Sequence, residues 1–248
     1  MPSHSAIQKW VLSDSFLVEL ESLLQPVSIA FSAVQVLEEC YWPNKKDHKE
    51  KAISDAAICT WWKAHGGKHP TWDLLARAQM AHQNELLDTL ILIEAKGHHA
   101  EMSSKGKDVP PASKAKKTAN HTRIQAAIKE AETGWKHLDP NVCLSETEYY
   151  QLANRMAHAW KVAEQGKAVV LVFLGVLNDA PKGKNPFTSD TDWKASFHKH
   201  ATHGTKTNVP DTVFERKWMV PSSADPTKQT PLWVLVRSLV KIDRDNCS

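Results

Sequence analysis

The chain has 248 residues, of which 42% are hydrophobic and 24% are charged. A chain of this length and composition can bury a substantial core in one large or two small domains, which excludes collagen-like, coiled-coil and wholly disordered proteins. The formal net charge is +3, and so mild a balance neither demands nor excludes a nucleic-acid partner.

The sequence shows no membrane-spanning or secretory pattern. No apolar run approaches the roughly 18 residues that a membrane-spanning helix needs, and the N-terminal residues lack the features of a signal peptide. The four cysteines are scattered without a CxxC pair, which disfavours a disulfide framework or a thiolate zinc site. We therefore expect a cytoplasmic protein with reduced thiols and no membrane partner.

Helices are predicted over residues 1–65, where apolar residues recur at three- and four-residue spacing. The predicted helices are Ser13–Leu24, Val27–Cys40 and Lys49–Lys63. Proline after Trp42 ends the second helix, because the residue before a proline avoids the α conformation. Paired glycines at 66 and 67 end the third.

Extended segments follow the helical region. His69–Ala76 and Ala81–Ala95 are predicted to be extended, and the second contains a nearly continuous apolar run typical of a strand buried on both faces. Ser103–Lys117 is predicted to be a loop. The later predicted elements are a helix over Thr118–Trp135, a helix over Glu146–Gln165 with a capping box of Ser145 and Glu148, and a buried strand over Ala168–Leu177.

The C-terminal third is less regular. Residues 179–231 hold many prolines and clustered histidines, and Leu232–Lys241 fits either a last strand or a short helix. We therefore expect an α/β protein with a mixed central sheet flanked by helices. Its residues 1–178 would contain the helical N-terminal region and the core, and residues 179–248 would form an irregular extension that packs on the same domain.

Charged residues that carry chemistry lie at the end of the first buried strand. Glu94 and Lys96 are two apart and point to the same face of a strand, and burying their charges is costly unless they are paired, solvated or bound to metal. Glu94, Asp73 and the carbonyl of Ala95 can converge on one divalent cation, in the oxygen environment that Mg²⁺ or Mn²⁺ prefers. Lys96 can position a water and stabilise charge on a phosphorane. These parts predict metal-assisted phosphodiester hydrolysis.

This arrangement resembles the PD-(D/E)xK nuclease superfamily. Glu94-Ala95-Lys96 matches its (D/E)xK element, and Pro70 to Asp73 is a variant of its PD element with two inserted residues. The resemblance implies a restriction-endonuclease-like core, built from a helix, a three-stranded unit, a helix and a further strand. It also implies that Asp73, Glu94 and Ala95 bind the metal ion and that Lys96 acts in catalysis.

Two further features of the superfamily have counterparts here. An acidic ligand often comes from a preceding helix, for which Glu38 or Glu39 is available. A glutamine often lies on the helix after the motif, and Gln151 matches it as a supporting catalytic residue. Arg155 shares a helix face with Gln151 and is a candidate nucleic-acid contact. The resemblance covers residues 35–178.

Basic residues after the motif are weaker candidates for substrate contact. His98 either contacts the scissile phosphate or serves as an auxiliary base, or it belongs to an ordinary polar strand exit. Glu101 is a candidate extra carboxylate near the metal. Five lysines either contact phosphates without reading sequence or form a solvated loop; they are Lys105, Lys107, Lys114, Lys116 and Lys117.

The histidines His198, His200 and His203 have HxHxxH spacing, which permits a zinc site, but no obvious fourth ligand lies near them. A polar surface segment is the alternative interpretation.

Taken with the resemblance, these residues predict a Mg²⁺- or Mn²⁺-dependent DNA endonuclease, a hydrolase of phosphodiester bonds; nothing in the residues separates DNA from RNA. The alternatives are an inactive nuclease-fold protein that binds nucleic acid or another partner, and a zinc-dependent phosphoesterase that uses the histidines. The family implies a homodimer as one arrangement for cutting both strands, although no patch in the sequence indicates one. If Asp73, Glu94 and Lys96 are catalytic, we expect their substitution to abolish cleavage and leave folding nearly intact.

Overall fold

The computed structural model describes most of the chain from residue 70 onwards and separate segments before it. The described residues are 7, 10–11, 13, 15–25, 31–36, 56–63, 70–82 and 85–240. Glu38 and Glu39, the candidate ligands from a preceding helix, lie outside them. No helix within these ranges is both long and apolar enough to span a membrane.

The described residues form five α-helices and six strands that are interspersed along the chain. The helices are α1 (Phe16–Leu24), α2 (Ala56–Trp62), α3 (Ala115–Leu138), α4 (Tyr150–Glu164) and α5 (Asp190–Thr202). The strands are β1 (Phe31–Val36), β2 (Leu74–His82), β3 (Glu85–Lys96), β4 (Ala168–Leu177), β5 (Arg216–Pro221) and β6 (Gln229–Val240).

In the described part of the chain, six strands form one mixed open sheet in the order β1-β2-β3-β4-β6-β5. The first three strands are an antiparallel meander, β3, β4 and β6 run parallel, and β5 is antiparallel to β6. All ten residues of β4 are buried, because helices cover both faces of the sheet. This α/β architecture with a helix-flanked mixed sheet agrees with the expected fold class.

The alternation of β3 divides the core into two layers. Leu90 and Leu92 pack with α2, α3, α4 and α5 on one face of the sheet. Ile91 and Ile93 pack with α1 on the other face. Glu94 continues the alternation of Leu90 and Leu92, so its side chain lies on the face that carries α4.

The predicted helix over Val27–Cys40 is wrong where the structure describes it, because Phe31–Val36 forms strand β1. Apolar residues at 31, 33, 34 and 36 fit a helical period and a strand period equally well. Pairing with β2, in a register that sets Val36 opposite Ala76, decides between the two. The remaining residues of the predicted helix lie outside the described ranges.

The capping box predicted before α4 is also wrong, because the helix begins only at Tyr150. Ser145 Oγ accepts a hydrogen bond from the Thr147 amide at 3.2 Å. The Glu148 carboxylate accepts from the amides of Lys206 at 2.7 Å and Thr207 at 3.3 Å. Both side chains therefore fix the loop before the helix rather than its first turn.

The expectation of an irregular C-terminal extension is wrong for residues 179–240. They contain α5 and two strands of the central sheet, and β6 lies between β4 and β5. The sheet thus continues past residue 178, where the resemblance ended. On α5 the buried residues Trp193, Phe197 and Ala201 recur every four positions, a helical signal that the neighbouring histidines obscured.

Candidate functional site

Asp73 and Glu94 meet at one end of the β2–β3 hairpin. Asp73 directly precedes β2, and the register sets Leu74 opposite Ile93. The Asp73 amide donates to the Ile93 carbonyl at 3.0 Å, and the Ala95 amide donates to Asp73 Oδ2 at 2.8 Å. The ends of the two strands therefore lie side by side, and the convergence of Asp73, Glu94 and the Ala95 carbonyl on one cation stays a prediction.

Glu94 is held by two cations. Its side chain is buried, with Lys96 Nζ 2.5 Å from Oε1 and Arg155 Nε 2.6 Å from Oε2. Arg155 is itself fixed, because it also donates to the Thr71 carbonyl at 2.9 Å and lies 4.6 Å from the ring centroid of Trp72. The result is a rigid network that joins the ends of the hairpin to α4.

The charges around Glu94 determine its protonation. Burial alone raises the pKa of this carboxyl, but the positive charges of Arg155 and Lys96 outweigh burial and hold the pKa below its usual value. Glu94 is therefore an anion at neutral pH. An anionic carboxylate is the form that can bind a divalent cation.

A small cleft opens to solvent beside this network. Its polar lining consists of Glu94, Lys96, Glu101, Gln151, Arg155 and His200. Its apolar lining consists of Met102, Leu152, Phe173, Trp193 and Phe197. The cleft thus combines charged groups with aromatic walls, as binding sites for organic ligands commonly do.

Gln151 and Arg155 both line the cleft, as their i, i+4 spacing predicts. Gln151 is exposed, whereas Arg155 is buried against Glu94. Arg155 was expected to contact nucleic acid, and its observed partner within the protein is a carboxylate instead. Any contact between Arg155 and a ligand therefore has to be made inside the cleft.

His200 belongs to this cleft and was not predicted as part of a nuclease site. Its ring packs edge-on against Tyr149 with centroids 4.5 Å apart. Burial, with a contribution from the charge of Lys96, lowers the pKa of His200 to about 4, so the ring is neutral at pH 7. Tyr149 has a left-handed backbone with φ of 47°, an unfavourable conformation for a bulky residue that marks this junction as constrained.

The HxHxxH histidines are not gathered into one site. His198 Nδ1 lies 2.6 Å from Asp211 Oδ1, His200 lines the cleft and His203 is exposed. Positions two apart on a helix point in different directions, which is the reason for the separation. Across the described ranges, no group of three or more His, Cys, Asp or Glu side chains is arranged to hold a metal ion.

His98 and Glu101 lie side by side at the exit of β3. Glu101 Oε2 accepts from the Gly97 amide at 2.6 Å, and His98 Nε2 lies 3.9 Å from Glu101 Oε1. His98 is 6% exposed and is not part of the cleft lining, so the predicted phosphate contact by His98 does not fit its position. Glu101 does line the cleft and remains the better placed of the two.

The five lysines predicted to lie in one loop divide between two elements. Lys105 and Lys107 belong to a segment that pairs with the chain before α4. Lys114, Lys116 and Lys117 begin α3, whose first turn has no acidic residue. Lysine is unfavourable at the positive end of a helix dipole, so the start of α3 gathers positive charge without an acidic residue in its first turn.

The carboxylate oxygens at the hairpin end are of the chemical type that a hard divalent cation prefers. Asp73 and Glu94 supply carboxylate oxygens on adjacent strand ends, which suits Mg²⁺ or Mn²⁺. Both oxygens of Glu94 are bonded to cations, however. A metal ion therefore has to compete with Arg155 and Lys96 for this carboxylate.

Comparisons with known proteins identify no relative. No protein-family model matches the chain, and searches of curated proteins and of solved structures find no significant match. The function therefore has to be inferred from the chemistry of the cleft and the residues around it.

Proposed function

We propose that the chain is a metal-dependent nuclease that hydrolyses phosphodiester bonds in nucleic acid, with DNA as the preferred substrate. The observation that carries this proposal is the meeting of Asp73, Glu94 and Lys96 at one end of the sheet, where two of them line the cleft. Two carboxylates can bind the metal ion and a lysine can stabilise developing charge in metal-assisted phosphodiester hydrolysis.

The topology supports the same proposal. The order along the chain is helix α1, strand β1, helix α2, the antiparallel strands β2 and β3, helices α3 and α4, and strand β4 parallel to β3. Apart from helix α2 between β1 and β2 and a second helix before β4, this matches the order that the resemblance to PD-(D/E)xK nucleases implies, and it supports a restriction-endonuclease-like core.

Each residue of the proposed site, which combines Asp73 with residues that line the cleft, then has a distinct task. Asp73 and Glu94 would hold Mg²⁺ or Mn²⁺, which when bound polarises a phosphate and lowers the pKa of a water. Lys96 orients the attacking water and stabilises negative charge that develops on the phosphate. Gln151, at the exposed rim, hydrogen-bonds the substrate backbone, and Arg155 keeps Glu94 ionised.

Metal dependence of cutting is the direct test. Purified protein is incubated with supercoiled plasmid and with single-stranded DNA in Mg²⁺, Mn²⁺ or EDTA, beside an Asp73→Asn variant. We expect cutting only with a divalent ion, and we expect Asp73→Asn to need a higher Mn²⁺ concentration, because an amide is a weaker ligand than a carboxylate. Asparagine keeps an oxygen that can accept from the Ala95 amide, so the fold is preserved. Cutting in EDTA, or no cutting in any metal, would contradict the proposal.

Competition between Arg155 and the metal gives a second expected result. Arg155→Gln removes a positive charge from one oxygen of Glu94, while Lys96 remains to favour the ionised carboxylate. Mn²⁺ binding measured by calorimetry should therefore tighten by about tenfold, or 1.4 kcal/mol. The double variant Glu94→Gln/Arg155→Gln should lose that gain. Equal Mn²⁺ affinity in wild type and Arg155→Gln would mean that Glu94 is not a ligand.

A second candidate function is a nuclease-fold module that binds nucleic acid without cutting it. The neutralisation of Glu94 by two cations favours this candidate, because a carboxylate so engaged is a poor metal ligand. It predicts salt-sensitive binding of nucleic acid with no turnover in any divalent metal.

A further inference from the structure

Helix α5 supplies one wall of the cleft. Trp193, Phe197 and His200 follow one another at spacings of four and three positions, so they share a face of the helix, and all three line the cleft. The resemblance to PD-(D/E)xK nucleases ends at residue 178 and gives this wall no task. Trp193 and Phe197 are buried, whereas His200 is only partly buried and can meet a bound molecule.

The ring of His200 is held in place by its surroundings. It packs edge-on against Tyr149, with ring centroids 4.5 Å apart. The turn after α5 confines Tyr149, since a Cβ atom at Gly204 would lie 3.0 Å from Tyr149 Cδ2. Thr207 Oγ1 donates to the Glu148 carbonyl at 2.7 Å, which joins the chain after α5 to the chain before α4. His200 therefore reaches the cleft from a braced end of the helix.

The ring nitrogens of His200 have no hydrogen-bond partner among the residues that the structure describes. The neighbouring histidines differ, because His198 Nδ1 lies 2.6 Å from Asp211 Oδ1 and His203 Nδ1 lies 3.3 Å from Thr202 Oγ1. Burial lowers the pKa of His200 to about 4, so at pH 7 the neutral ring carries one N–H donor and one acceptor nitrogen. His200 thus presents hydrogen-bonding groups that the described part of the protein does not use.

A second unused donor lies in the same wall. The Trp193 ring is fully buried and packs on Gly175, where a Cβ atom would overlap it. Gly175 is paired with Lys96 in the register of β3 and β4, so the ring lies beside the strand ends that carry the proposed site. Trp193 Nε1 has no hydrogen-bond partner within the described ranges. Buried N–H groups in native proteins are nearly always paired, so an unpaired one in a cleft wall points to an acceptor on a bound molecule.

The rest of the lining favours a ligand with several acceptor oxygens. Lys96 and Gln151 bring further N–H groups to the cleft. The Glu94 carboxylate already accepts from Lys96, and the Glu101 carboxylate accepts from the Gly97 amide. The carboxylate acceptors of the lining are therefore engaged within the protein while donors remain, and the oxygens of a phosphodiester match that excess of donors.

We infer that His200 is a further substrate-contact residue, which donates a hydrogen bond to a phosphate oxygen of the nucleic acid bound in the cleft. This inference rests on the proposed function, because it takes the same substrate. A neutral donor adds affinity through a hydrogen bond but releases no counterion. His200 should therefore contribute to binding without contributing to the salt dependence of binding.

The test is nucleic-acid binding in EDTA, where no metal-dependent cleavage occurs. Fluorescence anisotropy of a labelled single strand and a labelled duplex is recorded for wild type, His200→Phe and His200→Gln across a series of salt concentrations. His200→Phe keeps a ring against Tyr149 and loses both nitrogens, so we expect about five- to tenfold weaker binding with an unchanged slope of log K against log salt. His200→Gln keeps an N–H donor and should retain most of the affinity.

A merely structural His200 predicts the opposite order of the two variants. Phenylalanine preserves the edge contact with Tyr149 and glutamine removes it, so His200→Phe would then bind like wild type and His200→Gln would bind more weakly. Melting temperatures should show His200→Phe at least as stable as His200→Gln, so weaker binding by His200→Phe cannot come from unfolding. The matched control is His203→Phe, which alters an exposed histidine just beyond α5 and should leave affinity and slope unchanged.

The outcomes separate this inference from the proposed function. If wild type binds and His200→Phe binds equally well, the contact is wrong and the proposed function stands. If wild type binds but never cuts, weaker binding by His200→Phe with recovery in His200→Gln still supports the contact. If wild type cuts but binds too weakly to measure in EDTA, the same order of variants must appear in the KM for cleavage with Mn²⁺. If wild type neither binds nor cuts nucleic acid, both are overturned.

Discussion

Glu94→Gln is expected to lower the free energy of unfolding by about 3–5 kcal/mol, because it leaves Arg155 and Lys96 beside a neutral group in a buried site. Glu94 is 4% exposed and Arg155 is 5% exposed, so water cannot replace the lost charge. Urea denaturation at pH 7 measures the difference. A loss below about 1 kcal/mol would mean that the network is hydrated and contributes little.

Removal of the Arg155 charge together with that of Glu94 provides the control for this prediction. In Glu94→Gln/Arg155→Met the buried guanidinium is gone, and its aliphatic replacement packs against Trp72, which Arg155 now covers. We expect this double variant to recover part of the stability that Glu94→Gln loses, since both partners of a buried pair can often be replaced together at little cost. Additive losses would contradict a direct coupling of the two residues.

The same network predicts a pH dependence. The folded-state pKa of Glu94 is below its usual value of 4.5, so its contribution to stability is complete above that value and is lost as the pH falls through the folded-state pKa. The stability difference between wild type and Glu94→Gln should therefore be constant from pH 7 to about pH 5 and shrink in more acidic solution. Urea denaturation at several pH values measures it.

The buried strands and the meeting of Asp73 with Glu94 could be predicted from the sequence. A strand covered on both faces needs a continuous apolar run, and β4 has one over its whole length. Strands β2 and β3 are adjacent in the sequence and pair as a hairpin. The closeness of Glu94, near the end of β3, to Asp73, just before β2, therefore depends on local structure alone. Strand β1 could not be assigned in this way, because its apolar pattern fits two periods and only the pairing with β2 decides.

The partners of Glu94 were less predictable than its position. Helical spacing predicts that Arg155 lies on the same face of α4 as Gln151. The contact between Arg155 and Glu94, however, joins residues 61 positions apart and depends on how α4 packs on the sheet. Without that contact, the sequence predicts that substitution of Glu94 spares the fold. The structure leads to the opposite expectation for Glu94. His200 was missed for a related reason, since it reaches the cleft from a helix that the sequence did not reveal.

Lys96→Gln is expected to lower the rate of cleavage about 10²–10⁴-fold, the range typical of a residue that assists proton transfer. Its effect on folding should be smaller than that of Glu94→Gln, at about 1–2 kcal/mol, because Glu94 keeps its bonds to Arg155. Single-turnover plasmid cleavage at saturating Mn²⁺ measures the rate, and urea denaturation measures the stability.

Lys199→Gln is the matched control, because Lys199 is an exposed lysine on α5 next to His200. It should retain the rate of wild type. Comparison of Lys96→Gln with Glu94→Gln then distinguishes a structural role of this ion pair from a catalytic one. A purely structural pair predicts that both substitutions reduce cleavage in proportion to the fraction unfolded. A catalytic pair predicts that Lys96→Gln stays folded and still fails to cut, which is the combination that a structural role cannot produce.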